Sequence, residues 1–213
     1  MIMVDKNLGH ANQSYRFVQL SDLHLSSPGF PNPYRLFNKR ILGYLSWLKK
    51  RRFIHQRRIL DCAIDEIASL DADHLVITGD LLHIGLRNEF EQSAKWLAQL
   101  DGPSNITIIP GNHDLYVREK WSRSFDYWQE FMIGDNTPDP GSPDSDNALD
   151  KLNALYPIIR VRNQVAFIGI SSVFESPWFR ATGLICNEQL SLSLIHISEP
   201  TRLRLKSRMP SAA

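Results

Sequence analysis

The sequence predicts an α/β protein built around a mainly parallel sheet. Short apolar strands alternate with amphipathic helices along most of its 213 residues, which is the order typical of parallel α/β folds. Three of the strands are followed directly by polar residues of the kinds that bind metals. With 43% hydrophobic and 22% charged residues, the composition is that of an ordinary globular chain.

Hydrophobic patterns give the expected elements in chain order. Strands are expected at residues 15–20, 74–78, 105–109, 157–161 and 165–170. Asn163 is expected to connect the last two strands as a pair. Helices are expected at residues 35–50, 57–70 and 88–100. The apolar face of the first helix has as its candidates Leu36, Phe37, Ile41, Leu45 and Leu48.

Residues 134–150 interrupt the alternation of strands and helices. They contain five aspartates and three prolines with almost no apolar residue, so we expect a mobile surface loop. A calcium site is the alternative, but the glycine and terminal glutamate of an EF-hand loop are not in register.

The overall charge and the cysteines exclude several classes of protein. The formal net charge is +1, which is too small for a polyelectrolyte binder of nucleic acid. No apolar run approaches the roughly 20 residues of a membrane helix, and the N-terminus has no signal-peptide pattern. Two cysteines, Cys62 and Cys186, cannot form a disulfide framework, so we expect a cytoplasmic protein.

The C-terminal segment is expected to be foreign to the protein. Residues 192–202 agree with one reading frame of a transposase sequencing adapter, and residues 207–211 resemble the flow-cell end of the same adapter. We therefore expect residues 1–191 to be the N-terminal part of a single domain and residues 192–213 to be a non-native tail.

Three strand ends carry the residues that point to chemistry. The first is Asp22-Leu23-His24, in which the carboxylate and the imidazole lie on one side of an extended chain. The second is Gly79-Asp80, and the third is Gly111-Asn112-His113-Asp114. Ligands of open α/β sheets collect beyond the carboxyl ends of the strands, so the ordered set predicts a shared metal site.

This ordered set resembles the calcineurin-like metallophosphoesterases, in particular their bacterial phosphodiesterase-type members. The residues around the motifs agree as well, in Gln19–Leu25, Val76–Leu81 and Ile109–Asp114, and the similarity covers residues 15–190. The resemblance implies a four-layer α/β/β/α sandwich, here incomplete at its C-terminus. It also implies a hydrolase that cleaves a phosphodiester or phosphomonoester with water activated by a dinuclear metal centre.

The resemblance implies a role for each motif residue. Asp22 and His24 are expected to bind the first ion, Asp80 to bridge both ions and Asn112 to bind the second. Oxygen and imidazole ligands suit two divalent or mixed-valence ions of Mn, Fe or Zn.

The same resemblance gives His113 and Asp114 a catalytic role. His113 is expected beside the scissile phosphate as an acid or electrostatic stabiliser, and Asp114 is expected to orient it.

Further histidines that the resemblance implies are not found. The chain contains no Gly-His-x-His pair, so we expect weak metal binding and little activity from the chain as written. Of the remaining histidines, His74 is expected to be structural, whereas His83 follows Asp80 closely enough to be a candidate for the pocket.

A basic stretch follows the first metal motif. Residues 35–58 contain nine basic residues and no Asp or Glu, with Tyr44, Trp47 and Phe53 among them. This pattern is typical of a solvated helix pair, or of contact with an anionic lipid or a nucleotide near the site. The expected partner is a phosphate-ester substrate, and the sequence indicates no protein partner.

Three other functions remain open. A pyrophosphohydrolase of the UDP-diacylglucosamine type is favoured by Asp22-Leu23-His24-Leu25 and the basic stretch, although such enzymes usually have Arg at the position of His113. A repair-type nuclease would be expected to carry an added DNA-binding domain. A non-catalytic fragment agrees with the missing histidines.

Overall fold

The computed structural model describes residues 15–25, 27–54, 57–135, 145–175, 177–178, 182–187 and 189–192. The strands are β1 (Phe17–Leu20), β2 (His74–Ile77), β3 (Ile106–Ile108), β4 (Ile158–Arg162) and β5 (Val165–Gly169). The α-helices are α1 (Arg40–Ser46), α2 (Arg52–Ile54), α3 (Arg57–Ser69), α4 (Arg87–Leu97) and α5 (Ala148–Leu155). Shorter helical segments are Pro33–Leu36, Trp47–Arg51, Trp121–Arg123 and Phe125–Phe131. None of the helices in these ranges is both long and apolar enough to cross a membrane.

Strands β1, β2 and β3 form a parallel sheet in that order, which confirms the predicted α/β class. Phe17 lies opposite His74, and Leu75 lies opposite Ile106, so the strands run in one direction with matched ends. The central strand, β2, is buried along its whole length because it has a neighbour on each side. The carboxyl ends of all three strands therefore meet at one edge of the sheet.

Strands β4 and β5 form a separate antiparallel pair, as predicted. The connection is tight, and Asn163 adopts a positive φ of 52°, a conformation that asparagine tolerates better than most residues. Gly169 lies close to Ile158 and to Ile109, since an added Cβ would be 2.7 Å and 3.3 Å from their side chains.

An aromatic cluster closes one side of the core. Phe90 of α4 contacts Phe125 and Trp128, with ring centroids 5.2 Å and 4.7 Å apart, and Trp121 packs on Phe125. All four side chains are buried. Apart from Phe90, they lie in the two 3-10 helices after β3, which the hydrophobic periodicity did not predict.

The segment after β1 is helical as predicted, but its expected apolar face is turned outward. Phe37, Ile41 and Leu45 are exposed, whereas Arg40 is 2% exposed. The Arg40 guanidinium donates to the carbonyl oxygens of Ile84 and Gly85, so its polar atoms are satisfied inside. The predicted apolar face was therefore wrong for three of its five candidates, because backbone acceptors in the core favour the arginine. The other two, Leu36 and Leu48, are half-buried.

The predicted loop at 134–150 ends earlier than expected. Asn147 caps α5, and its side-chain oxygen accepts from the N–H of Leu149 at 2.9 Å. Asp146 is also ordered by the Ser122 hydroxyl, which donates to it at 2.9 Å. The central part of the predicted loop, 136–144, lies outside the described residues. So do 193–213, which hold nearly all of the predicted tail.

Candidate metal centre

The hydrogen-bond ladder between β1 and β2 continues beyond the strand ends and fixes the first two motifs. The N–H of Asp22 donates to the Gly79 oxygen at 3.1 Å, and the N–H of His24 donates to the Asp80 oxygen at 2.9 Å. Asp22, His24 and Asp80 have positive φ angles of 56°, 45° and 56°. Such conformations cost on the order of 1–3 kcal/mol each in a non-glycine residue and cluster at functional sites.

Two glycines allow the second and third motifs to touch. An added Cβ on Gly79, whose φ is +93°, would lie 2.7 Å from the Gly111 Cα. An added Cβ on Gly111 would overlap the Asp80 carboxylate. Because neither loop leaves room for a side chain, glycine at both positions sets the spacing of the site.

Within the described residues, the structure brings together three side chains that could hold a metal ion. One ligand atom from each of His24, Asp80 and His113 lies within 4.8 Å of the other two. These residues come from the ends of β1, β2 and β3 respectively, as the strand-end argument predicts. The Asp80 Oδ1 also accepts from the N–H of His113 at 2.9 Å, which joins the second and third loops.

Hydrogen bonds to carbonyl oxygens fix the tautomers of both histidines. The His24 Nδ1–H donates to the Leu82 oxygen at 2.7 Å, and the His113 Nδ1–H donates to the His83 oxygen at 2.6 Å. A carbonyl can only accept, so each neutral ring carries its proton on Nδ1 and its lone pair on Nε2. Burial lowers the pKa of both imidazoles, which favours the neutral form that binds metals.

Asp22 and Asn112 lie in the same loops but differ in setting. Asp22 is exposed, and its Oδ2 accepts from the Ser21 hydroxyl at 2.6 Å. Asn112 is half-buried in the turn that carries His113. The cluster of three close ligand atoms does not include Asp22, so its predicted role remains a proposal, as does that of Asn112.

Asp114 does not contact the imidazole that it was expected to orient. Its buried carboxylate accepts from the N–H groups of Asp80 and Gly111 through Oδ2, and from that of Leu82 through Oδ1. Burial, with the charge of Asp80, raises its pKa to about 8. The orienting contact on His113 comes instead from the carbonyl of His83, because Asp114 is already committed to three backbone donors.

Two residues near the site carried only a weak signal in the sequence. His83 is buried and stacks on His24, with ring centroids 4.9 Å apart and planes 9° from parallel. Arg51 reaches the site from the basic stretch, with Nη1 3.1 Å from the His113 Nε2. The run of basic residues was the signal for Arg51, but nothing in it distinguishes Arg51 from its neighbours.

His74, in contrast, is structural as predicted, since its Nε2 lies 2.8 Å from the Thr107 hydroxyl.

The donor set suits a transition-metal ion. Two neutral imidazoles and one carboxylate are ligands shared by Mn, Fe and Zn sites, whereas magnesium and calcium sites use oxygen almost exclusively. The His24 ring also has the carbonyl partner on its second nitrogen that metal-binding histidines usually have. The residues present therefore fit a divalent metal ion.

Comparison with known proteins agrees with this geometry. No curated protein matches the chain. The family model for the calcineurin-like phosphoesterases matches residues 15–201, which include all three strand-end motifs. The match extends beyond residue 192 and so gives no support to a foreign tail that begins there. The matched region and the α/β fold together show that the chain belongs to the calcineurin-like phosphoesterase family.

Proposed function

We propose that this chain hydrolyses phosphate esters, with two divalent ions held at the carboxyl ends of β1, β2 and β3. The family implies metal-dependent phosphoester hydrolysis. The observation that carries the proposal is the convergence on one point of His24 and Asp80, two of the proposed ligands, with His113, which is proposed below to act on the leaving group. A phosphodiester is the preferred substrate class, and a phosphomonoester is the next candidate.

Four residues are proposed as metal ligands. Asp22 and His24 would hold one ion, Asn112 would hold the other, and Asp80 would bridge them. The Asp22 carboxylate is exposed, and the Nδ1 of His24 is held by the Leu82 carbonyl, so Nε2 is the His24 atom that would bind the ion. Bound there, the ions would supply Lewis-acid activation of water and of the phosphate oxygens.

His113 is proposed to handle the proton of the leaving group. Its Nδ1–H is held by the His83 carbonyl, so Nε2 is the atom at which a proton can be gained and passed on once the Arg51 Nη1, 3.1 Å away, donates to the substrate phosphate instead. The Asp80 carboxylate, whose Oδ1 accepts from the His113 N–H, lies close enough to stabilise a positive ring. Asp114 supports this arrangement as a positioning residue, through the backbone of the Asp80 and Gly111 turns.

Arg51 is proposed to bind the substrate phosphate. Its side chain is half-buried, and Nη1 lies 3.1 Å from the His113 Nε2. Guanidinium groups form strong charge-assisted hydrogen bonds to phosphate oxygens, and they cannot be deprotonated near neutral pH. The contact with His113 therefore keeps a cation beside the cluster of His24, Asp80 and His113.

The proposal is tested by hydrolysis of bis-p-nitrophenyl phosphate by the purified chain, after EDTA treatment and after Mn²⁺ is added back. We expect turnover that requires Mn²⁺ and that the Asp80→Asn variant lacks. The rate is expected to be low, because the chain has no Gly-His-x-His pair. Turnover in EDTA, or none above the Asp80→Asn background with Mn²⁺, would contradict the proposal.

A substrate panel refines the result. p-Nitrophenyl phosphate tests monoesters, cyclic AMP tests cyclic diesters, and a UDP-linked lipid tests pyrophosphates. Preference for the UDP-linked lipid over bis-p-nitrophenyl phosphate would replace the phosphodiesterase assignment with pyrophosphohydrolysis.

A further inference from the structure

An exposed apolar stripe runs along the segment between the first metal motif and α2. Its members, with their exposed fractions, are Phe30 (102%), Tyr34 (82%), Phe37 (80%), Ile41 (41%) and Leu45 (45%). Ile41 and Leu45 are one turn apart on α1, Tyr34 lies in the short helical segment before it, and Phe30 lies in the preceding loop. Phe37 follows the short segment, with its ring 6.2 Å from that of Tyr34. A grouped set of exposed apolar side chains, unlike single ones, marks an interaction surface.

Packing on the opposite side of α1 keeps the apolar stripe facing outward. An added Cβ on Gly43 would lie 2.6 Å from the Ile84 side chain and 2.9 Å from the Tyr116 hydroxyl oxygen, so α1 sits directly on the body of the domain. Arg40, on the same inner side, is bonded to the carbonyl oxygen of Ile84. The Tyr44 hydroxyl donates to the Gly29 oxygen at 2.9 Å and ties the loop that carries Phe30 to α1.

The residues of this segment carry charge of one sign, although Arg35 and Arg40 are paired with Glu119 from outside it. Residues 35–58 contain nine basic residues and no acidic residue. Lys49, Lys50 and Arg52, just beyond α1, are exposed. A second copy of this chain would bring the same positive surface against itself, and like charges disfavour that contact.

We propose that the apolar stripe and the exposed Lys49, Lys50 and Arg52 dock the protein onto an anionic lipid surface. Aromatic and aliphatic side chains enter the headgroup and acyl boundary while Lys and Arg contact anionic headgroups. Single-stranded nucleic acid would stack on the aromatic rings and bind the cations, but it offers nothing to cover Ile41 and Leu45. An anionic bilayer surface accounts for both the apolar stripe and the exposed cations. This inference does not depend on the proposed phosphoester hydrolysis.

The test is co-sedimentation of the full chain with sucrose-loaded vesicles in EDTA, so that metal binding and activity play no part. Vesicles of phosphatidylcholine alone are compared with vesicles that also contain phosphatidylglycerol. We expect sedimentation with the anionic vesicles only, reduced several-fold by F30S/F37S and by K49Q/K50Q. The matched controls, L184S and K95Q, change exposed residues elsewhere and are expected to sediment like the unaltered chain.

Four results would overturn the proposal. The first is equal sedimentation with and without anionic lipid, and the second is binding that the stripe variants leave intact. The third is tighter binding of a single-stranded oligonucleotide, and the fourth is a dimer in sedimentation velocity that F30S/F37S dissociates without any vesicle binding. Because the substituted side chains are exposed, thermal melts of all variants are expected to coincide, which separates lost docking from lost folding.

Discussion

The Arg51 Nη1 lies 3.1 Å from the Nε2 of His113, 62 positions further along the chain. The π-helical turn of residues 47–51 brings this arginine from the basic stretch to the third metal motif. The contact joins the segment with the strongest positive charge to the residue proposed to handle the leaving group. It also lowers the pKa of His113, although burial is the larger cause.

Removing the Arg51 guanidinium is expected to weaken phosphate binding. The Arg51→Ala variant should lose roughly 10- to 100-fold in kcat/KM for bis-p-nitrophenyl phosphate, because a hydrogen bond to a charged group contributes about 1.5–3 kcal/mol. Most of the loss should appear in KM, and Arg51→Lys should recover part of it. The exposed Lys95→Ala variant is the control, and equal kinetics for Arg51→Ala and Lys95→Ala would exclude this role.

Replacement of Glu89 is expected to destabilise the loop beside the site. Its buried carboxylate accepts from the N–H groups of His83 at 2.9 Å, Ile84 at 3.3 Å and Leu86 at 2.9 Å. The Glu89→Leu variant leaves these buried donors without that acceptor, at a cost of about 2–4 kcal/mol in the free energy of unfolding. Urea denaturation measures this loss.

A matched substitution separates the Glu89 effect from a general effect of adding leucine. Glu66 is exposed on α3, so Glu66→Leu should change the unfolding free energy by no more than about 0.5 kcal/mol. Equal urea midpoints for the two variants would show that the three hydrogen bonds to Glu89 contribute no net stability.

His74 is expected to make folding sensitive to acid. Burial, with Arg160 and Arg162, lowers its pKa from 6.5 to about 4, and the side chain is 1% exposed. Between pH 6.5 and pH 4, the unfolded chain therefore binds a proton at His74 that the folded chain does not bind. The stability that neutral His74 contributes is complete above pH 6.5 and is lost as the pH falls from 6.5 towards 4.

The His74→Gln variant isolates that contribution. Between pH 7 and pH 5, the free energy of unfolding of the unaltered chain should fall by about 2 kcal/mol more than that of His74→Gln. The difference arises because only the unaltered chain has a histidine at position 74 whose pKa is lower in the folded state. Urea denaturation at the two pH values measures the difference. Parallel losses in both proteins would mean that His74 titrates normally.

The sequence was sufficient for the parts of the fold that depend on local pattern. The three parallel strands are each followed by one of the motifs that contain Asp22, Asp80 and Asn112. Because each motif follows its own apolar strand, few strand arrangements can bring the three motifs together. The pair of β4 and β5 followed from the turn at Asn163. These features depend on short-range periodicity and on the rule that parallel strands share an edge.

The remaining features depend on contacts between distant segments. The outward turn of Ile41 and Leu45 follows from the bonds of Arg40 to the carbonyls at 84 and 85, which no local pattern reveals. Trp121 and Phe125 lie in short 3-10 helices without an amphipathic period. Asp114 was expected to orient His113, but its carboxylate accepts from three backbone N–H groups that the meeting of two loops brings together.

Calorimetric titration of the full, metal-free chain with Mn²⁺ tests the central claim most directly. We predict saturable binding by the unaltered chain and by Asp65→Asn, whose carboxylate is exposed on α3, with loss of binding in Asp80→Asn. The asparagine keeps the oxygen that accepts from the His113 N–H, so the loop is retained while the charge is removed. Binding that Asp80→Asn leaves unchanged, or no binding by the unaltered chain, would contradict a metal centre at this edge of the sheet.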